Sequence, residues 1–296
     1  MTSKDRLLLN GQRILRVLRE FSFESNVDVE INYITDNDGT EETYTMWSIR
    51  KIMDNLRGVI SGHMTEAYYI DNVDGDDENT GSSSSPFKTI EKAISIIDPG
   101  MSVHIYLKRG QNFTPTVEYR GVVGKRLSNN SIQFGSYGDD SDDIPKIKFS
   151  WVEKDDDASM SKFTGFNCWI NFYKVDIEVQ DYDGDCTTEW NNIFNEYSSM
   201  NLSFYESTIN LGNKGNLIEA YAYGKQILMF KASKIIGDLS DILRLNGGTM
   251  DIGQSSLTIE GTDGADKVLK DIVAGVVRDA DSGIPINVLS YSDLSD

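Results

Sequence analysis

Four stretches of this chain repeat one spacing: an apolar residue, any residue, a second apolar residue, four intervening residues, then a third apolar one. They are Ile170/Phe172/Ile177, Leu202/Phe204/Ile209, Leu228/Phe230/Ile235 and Met250/Ile252/Leu257. In three of them a further apolar residue follows two places on, at Val179, Leu211 and Ile259. Superposing the stretches also aligns positions that do not define them. The second apolar column reads Phe172, Phe204, Phe230, Ile252, and three residues on stand Val175, Ser207, Ser233, Ser255. Alternation on either side of that column predicts two short strands, each with one buried face. Small side chains between them let the backbone turn a corner while like residues lie on like, as in a solenoid. The stretches are offset by 32, 26 and 22 residues, inside the solenoid range of roughly 20–45. Unequal offsets mean loops of unequal length, expected at Gly212 to Gly215, Gly247-Gly248 and Gly261 to Gly264. The expected fold is therefore mainly β, a right-handed parallel β-helix. A β-sandwich also has alternating short strands, but it does not require phenylalanine and serine columns in register. An α/β alternation would need amphipathic helices between the strands, and the span 101–261 has no strong one.

Upstream, Val103/Ile105/Leu107, Ile132/Phe134 and Ile147/Phe149 alternate in the same way and extend the strands backwards. The stretch 71–85 (DNVDGDDENTGSSSS) is acidic and glycine/serine-rich, which marks a loop. Residues 86–97 then predict a short amphipathic helix, with Pro86 at its start and Asp98-Pro99-Gly100 as its stop. Its apolar side (Phe87, Ile90, Ala93, Ile94, Ile97) needs something to cover, and the open first coil is the natural surface. The chain begins differently. Lys4 to Phe21 has an apolar helical face, with Leu7, Ile14 and Phe21 seven apart. Val27 to Met46 reads as a β-hairpin around Asp36-Asn37-Asp38-Gly39, and Ser48 to Ile60 as a second helix. Residues 1–66 thus form a small α+β module, 67–262 the solenoid with its capping helix 86–97, and 263–296 a closing segment. In that segment Lys267 to Arg278 has a loose helical pattern, and Ile284 to Leu289 is expected to form a strand paired with a partner chain.

Composition narrows the functions. The formal net charge is −19 and the positive residues are scattered, which argues against a nucleic-acid partner. No apolar run approaches the roughly 18 residues that would suggest a membrane span, and the first residues lack the apolar core of an export signal. Cys168 and Cys186 have neither CxxC spacing nor a nearby histidine, so neither zinc nor a disulfide framework is expected. His63 and His104 lie far apart without a Gly-x-Ser-x-Gly elbow. No phosphate-cradling glycine loop is present, and no cofactor is expected.

At this point the chain resembles a known family. Val73 to Ile94 (VDGDDENTGSSSSPFKTIEKAI), followed by Ile132-Gln133-Phe134-Gly135-Ser136-Tyr137-Gly138 and Ile144-Pro145-Lys146-Ile147, is similar to the start of the pectate-lyase-like β-helices of bacteriophage tailspikes and tail fibres. The resemblance covers roughly residues 68–262 and identifies a fold better than an activity. It implies a homotrimer on a phage virion, made in the host cytoplasm. Residues 1–66 would dock onto other tail or baseplate proteins, and the β-helix would contact host surface polysaccharide or another fibre. Relatives that degrade polysaccharide generally have a longer β-helix and a larger C-terminal region. A non-enzymatic structural component is therefore the first expectation, and a polysaccharide-degrading tailspike the alternative.

Candidate site residues follow from these readings. Glycoside cleavage needs two carboxylates about 5–9.5 Å apart, for which Asp176 and Glu206 on adjacent coils are candidates; both are also ordinary residues for a solvated face. Trp169, Tyr173, Trp190 and Tyr205 offer rings to a glycan or a neighbouring subunit. Asp74, Asp76 and Asp77 superficially suggest calcium, but the twelve-position pattern with its terminal glutamate is missing, which leaves an acidic loop as the plainer reading.

Overall fold

The computed structural model describes residues 29–34, 41–46, 66–115, 117–118, 121–122, 127–154, 157–160, 163–184, 192–196, 200–221 and 225–290. The chain divides into two compact units, Met1–Met64 and Thr65–Asp296. In the first, Val29–Ile34 pairs antiparallel with Glu41–Met46, Val29 opposite Met46, which is the hairpin that the alternation predicts. The two helices expected beside it, and Cys186, lie outside the described residues.

The second unit is mainly β, with three long sheets of eight, seven and six strands. From Ser102 onward the chain visits them in a fixed cyclic order. Cys168–Tyr173 belongs to the eight-stranded sheet, Asp176–Val179 to the seven-stranded and Asn192–Glu196 to the six-stranded, before Met200–Tyr205 returns to the first. Successive visits pair in parallel: Cys168–Tyr173 lies between Ser131–Tyr137 and Met200–Tyr205, and the latter beside Lys225–Lys231. This β-helix-like stacking gives each apolar position a like neighbour one coil away. Phe134, Phe172, Phe204 and Phe230 are partners in register. Their rings stack at centroid distances of 5.1, 5.1 and 5.5 Å, within 9° of parallel. Phe163 and Phe194 of the six-stranded sheet stack at 5.8 Å, and Phe163 also meets Phe134 and Phe149. The apolar faces of all three sheets thus share one core.

The passage from the eight- to the seven-stranded sheet is a tight corner. Its first residue has a left-handed backbone in four successive coils: Lys174, Glu206, Ala232 and Ser256, with φ between 48° and 57°. The second residue is Val175, Ser207, Ser233 or Leu257. Ser207 Oγ donates to the Tyr205 carbonyl, and Ser233 Oγ reaches the Phe204 and Lys231 carbonyls, each at 3.0 Å. The Tyr205 and Lys231 carbonyls also accept from Lys174 N and Glu206 N of the preceding coil, at 3.0 and 2.9 Å, so the serines add a second hydrogen bond at each corner and leave their own hydroxyls paired. A left-handed conformation costs a residue with a Cβ about 1–2 kcal/mol, partly offset in glycine by its greater chain entropy. Ala232 is exposed, so Ala232→Gly loses no packing; it should raise stability by up to about 1 kcal/mol, read as a higher urea midpoint.

The fourth stretch corrects the expected alignment. Leu228 pairs with Ile252 and Phe230 with Gln254, while Ile235 pairs with Ile259. Met250/Ile252/Leu257 is therefore displaced by two residues from the columns assigned by spacing. Leu257, and not Ser255, follows Ser233 at the corner. A shift of two keeps every side chain on its face, so alternation alone does not detect it.

At the start of the stack the helix is Ile90–Ser95, shorter than the expected 86–97. Pro86 does not open it. Phe87 is extended and bridges to Ile70, and Thr89 is the N-cap, its hydroxyl accepting from Lys92 N at 3.1 Å. Asp77 fixes this start: its carboxylate accepts from the amides of Lys88 and Thr89 and from the Thr89 hydroxyl at 2.8–3.0 Å. Ile90, Ala93, Ile94, Ile97 and Phe87 are at most 3% exposed.

The last described segment continues the sheets. Asp266–Lys267 folds back antiparallel on Thr258–Glu260, Val273–Ala274 joins the six-stranded sheet, and Val288–Ser290 joins the eight-stranded one. In place of the expected helix over 267–278, only Leu269–Asp271 forms a 3-10 turn. Within 284–289, Val288 and Leu289 pair with Met250 and Asp251 of the same chain.

Candidate functional site

Two outer surfaces meet at the tight corner. The outer face of the eight-stranded sheet carries aromatic residues in columns. Alternation points Trp169, Asn171 and Tyr173 outward from one strand, and Asn201, Ser203 and Tyr205 from the next. Tyr173 is opposite Tyr205 and Trp169 opposite Asn201. Trp169 and Tyr173 are each 43% exposed, and Tyr205 is half-buried. Lys174 lies 5.5 Å from the Tyr173 ring centroid and forms a 3.5 Å ion pair with Glu206. The column between the rings holds Gln133, Asn171 and Ser203, so hydrogen-bonding groups alternate with ring faces. The face extends beyond the residues picked from sequence. Tyr69 stacks on Tyr106 at 5.0 Å, and Met229, 41% exposed, stands beside Ser203. Tyr106 leans over Gly135, where a Cβ would meet its ring at 3.1 Å. Trp190 lies outside the described residues.

Round the corner, the outer face of the seven-stranded sheet is polar. The column Asn112, Lys146, Asp176, Thr208, Lys234, Thr258 runs along it. Two hollows, of about 480 and 410 Å³, follow this column and share Ile144 and Asp176. The second is also lined by Glu206, Ser207 and Ser233, so the two carboxylates chosen from sequence border one groove. Asp176 Oδ1 accepts from Thr208 N at 2.7 Å. Burial pushes the Asp176 carboxyl above its ordinary value, against the opposing pull of the Thr208 amide and Lys146. Its neighbour Glu178 is held below the usual range: burial opposes ionisation, but Lys146 at 2.6 Å and Lys148 at 2.9 Å outweigh it. Sequence reasoning did not single out this Lys-Glu-Lys cluster, because charged residues on a strand's outer face look alike until the coils are paired.

The acidic loop is occupied by its own backbone. Asp77 holds the helix start, and Asp76 Oδ1 accepts from Glu78 N at 3.0 Å. Asp71, unremarked in sequence, is buried and takes hydrogen bonds from Gln111 Nε2 and the amides of Val73 and Asp74. Burial works against its ionisation, but these donors and Lys108 hold its carboxyl below the usual value. Among the described residues no three His, Cys, Asp or Glu side chains gather as a metal site, and no helix is long and apolar enough to cross a membrane.

The fold and register define a β-helix-like protein with long parallel sheets. A family model described as "Protein of unknown function (DUF1565)" matches residues 73–166, less than half of the chain. No curated protein sequence matches. Among solved structures, a native GH136 lacto-N-biosidase from Eubacterium ramulus is similar at 13% identity and a TM-score of 0.33, over 69% of this chain and 37% of that one. A rhamnogalacturonan lyase is similar at 13% identity and a TM-score of 0.39, over 77% of this chain and 62% of that one. The chain spans less than two thirds of the length of either.

Proposed function

We propose that this chain is a right-handed parallel β-helix serving as a non-enzymatic structural component of a bacteriophage tail. Residues 1–66 dock it to other tail proteins, three copies associate, and the rigid stack presents its outer face to a host-surface glycan or to another fibre. The observation that carries the contact is the face around Trp169, Tyr173 and Tyr205, where the rings alternate with the side-chain amides of Gln133 and Asn171 on a rigid sheet. Such a face suits a sugar: rings cover the apolar side of a pyranose, and the half-buried amides of Gln133 and Asn171 reach its hydroxyls. The carboxylates already have partners, Asp176 in Thr208 N and Glu206 in Lys174. An aromatic contact contributes about 0.5–1.5 kcal/mol beyond its buried area. The double variant Trp169→Ala/Tyr173→Ala should therefore bind purified host polysaccharide at least about tenfold more weakly, with unchanged thermal stability. Equal binding by variant and wild type would reject the face as the contact.

One observation favours the second reading, a polysaccharide-degrading spike. A carboxyl pushed up by burial in a groove that also holds Glu206 is suited to donating a proton to a leaving oxygen. The test uses Asp176→Asn. The buried carboxyl resists ionisation in the folded chain, so wild type loses stability as pH rises through the raised folded value. The amide oxygen still accepts from Thr208 N, so the variant should melt higher than wild type at pH 7, and this advantage should vanish where wild type is protonated. If the groove cleaves glycan, the same variant no longer releases new reducing ends. New reducing ends or unsaturated sugars formed by wild type would overturn the non-enzymatic reading, and their persistence in Asp176→Asn would remove Asp176 from it.

A further inference from the structure

Charge is divided unevenly between the sheets. Five neighbouring strands of the eight-stranded sheet, Ser102–Lys108, Ser131–Tyr137, Cys168–Tyr173, Met200–Tyr205 and Lys225–Lys231, contain no aspartate or glutamate, although the chain has 47 of them. The strands of the seven-stranded sheet are shorter and yet carry Asp176, Glu178, Glu260 and Asp266. The carboxylates that border the acid-free face are already held. Beyond one end, Glu66 accepts from the Tyr68 hydroxyl. Beyond the other, Asp251 meets Lys225 at 2.6 Å, and at the tight corner Glu206 meets Lys174 at 3.5 Å. Lysines mark the corner margin of the face. Lys108 lies 5.2 Å from the Tyr137 ring centroid and 3.9 Å from Asp71. Lys231 is exposed, stands opposite Tyr205, and forms no ion pair with any described residue.

We propose that this face selects an acidic polysaccharide, one whose pyranose rings carry carboxylates. The inference rests on the glycan contact proposed above and names its chemical class. A net charge of −19 repels a polyanion from most of the protein's surface, but at physiological salt such repulsion fades over roughly 8 Å. Five strands spaced about 4.8 Å apart make a face about 19 Å across. An anionic chain lying along its middle is therefore screened from the carboxylates of the other sheets, while the lysines stand at its side. The aromatic side chains narrow the choice among anions. Trp169, Tyr173 and Tyr205 cover pyranose faces, which a polyol phosphate and an acidic peptide both lack. The acidic group of such a sugar projects from the edge of its ring. In the outward column of Tyr173 the next positions are Tyr205 and then Lys231, so two rings are followed by an ammonium. Lys174, 5.5 Å from the Tyr173 centroid, is a second ammonium, shared with Glu206.

The experiment takes a panel of purified bacterial polysaccharides that contain uronic acids, each before and after reduction of its carboxyl groups to alcohols, and measures binding to the full chain by calorimetry. At least one acidic form should bind, its reduced form at least about tenfold more weakly, and its affinity should fall as salt rises. Lys231→Glu should weaken that binding at least about fivefold, because an exposed ion pair is worth up to that factor and the reversal adds a repulsion. Glu206→Gln should strengthen it by freeing Lys174. Both variants should melt at the wild-type temperature, and Lys231→Gln, with a smaller loss of affinity, decides the matter should the reversal not fold. Polyglutamate, an anion without sugar rings, should not displace the polysaccharide. Absence of binding by every acidic form, equal binding by the reduced forms, displacement by polyglutamate, or unchanged affinity in Lys231→Glu would overturn the proposal. The charge selection and the ring contact fail separately. Reduced forms that bind equally, but lose affinity with Trp169→Ala/Tyr173→Ala, would remove the first and leave the second. Acidic forms that lose affinity with Lys231→Glu and not with the ring variant would remove the second.

Discussion

Phe204→Ala is expected to lower the stability of the β unit by about 3–5 kcal/mol, the range for emptying a fully buried phenylalanine site. The ring is 0% exposed, stacked on Phe172 and Phe230 and in edge contact with Phe194. The neighbouring coils are held by their own sheet ladders and cannot collapse into the space. Phe230→Ala provides the internal comparison. Phe230 stacks on Phe204 on one side, but its partner on the other is Gln254, so its removal deletes one ring contact instead of three. Chemical denaturation followed by circular dichroism should rank Phe204→Ala below Phe230→Ala. Equal losses would mean that the ladder contributes only buried area.

The second large effect is expected at Gly75. A Cβ there would stand 2.3 Å from both the Asp71 and Phe87 carbonyl oxygens. Both are backbone atoms in hydrogen bonds, the first accepting from Gly75 N at 2.8 Å and the second from Asp71 N at 2.9 Å. Neither can rotate aside. Gly75→Ala must therefore spread the loop from the strand that holds Ile70, loosening Phe87 and the capping helix together. The cost should reach about 3 kcal/mol, the upper end of ordinary overpacking. Hydrogen exchange should report it first at the amides of Phe87 and Ile90 to Ile94, with the later coils still protected.

What could be read in the sequence follows from what a strand repeats. Phe172, Phe204 and Phe230 align because one face of each strand is buried and the tight corner has a fixed length, so a column survives loops of any size elsewhere. The fourth coil was misplaced by two residues because a period of two has no memory of register. Leu257 then stands where serine stands in the coils before it. The left-handed corner was invisible for another reason: Lys174, Glu206, Ala232 and Ser256 share no chemistry. At the crossing from the six- to the eight-stranded sheet Asn129, Asn167 and Gly247 also have positive φ, with residue types that tolerate it. Pro86 suggested a helix start, but the carboxylate of Asp77, far back in the loop, moved that start to Ile90. On the surface, alternation sufficed to aim Trp169, Tyr173 and Tyr205 outward. The partners of Asp176 depend on which strand lies beside it, and Thr208 is 32 residues away.

The tight corner also has a practical use. Two residues separate Tyr173 from Asp176, Tyr205 from Thr208, Lys231 from Lys234 and Ser255 from Thr258. The crossing from the seven- to the six-stranded sheet varies freely, from Val179 to Asn192 in one coil and from Asn210 to Asn216 in the next. Lengthening a surface loop costs little free energy, because closure entropy grows only slowly with length. A guest peptide spliced at Asn213-Lys214 would thus be displayed at a defined height on the stack at the local cost of the hydrogen bonds that tie Asn213 to Asp181 and Tyr182 of the preceding coil, whereas one spliced at Ala232-Ser233 would break the ruler by which every later coil is measured.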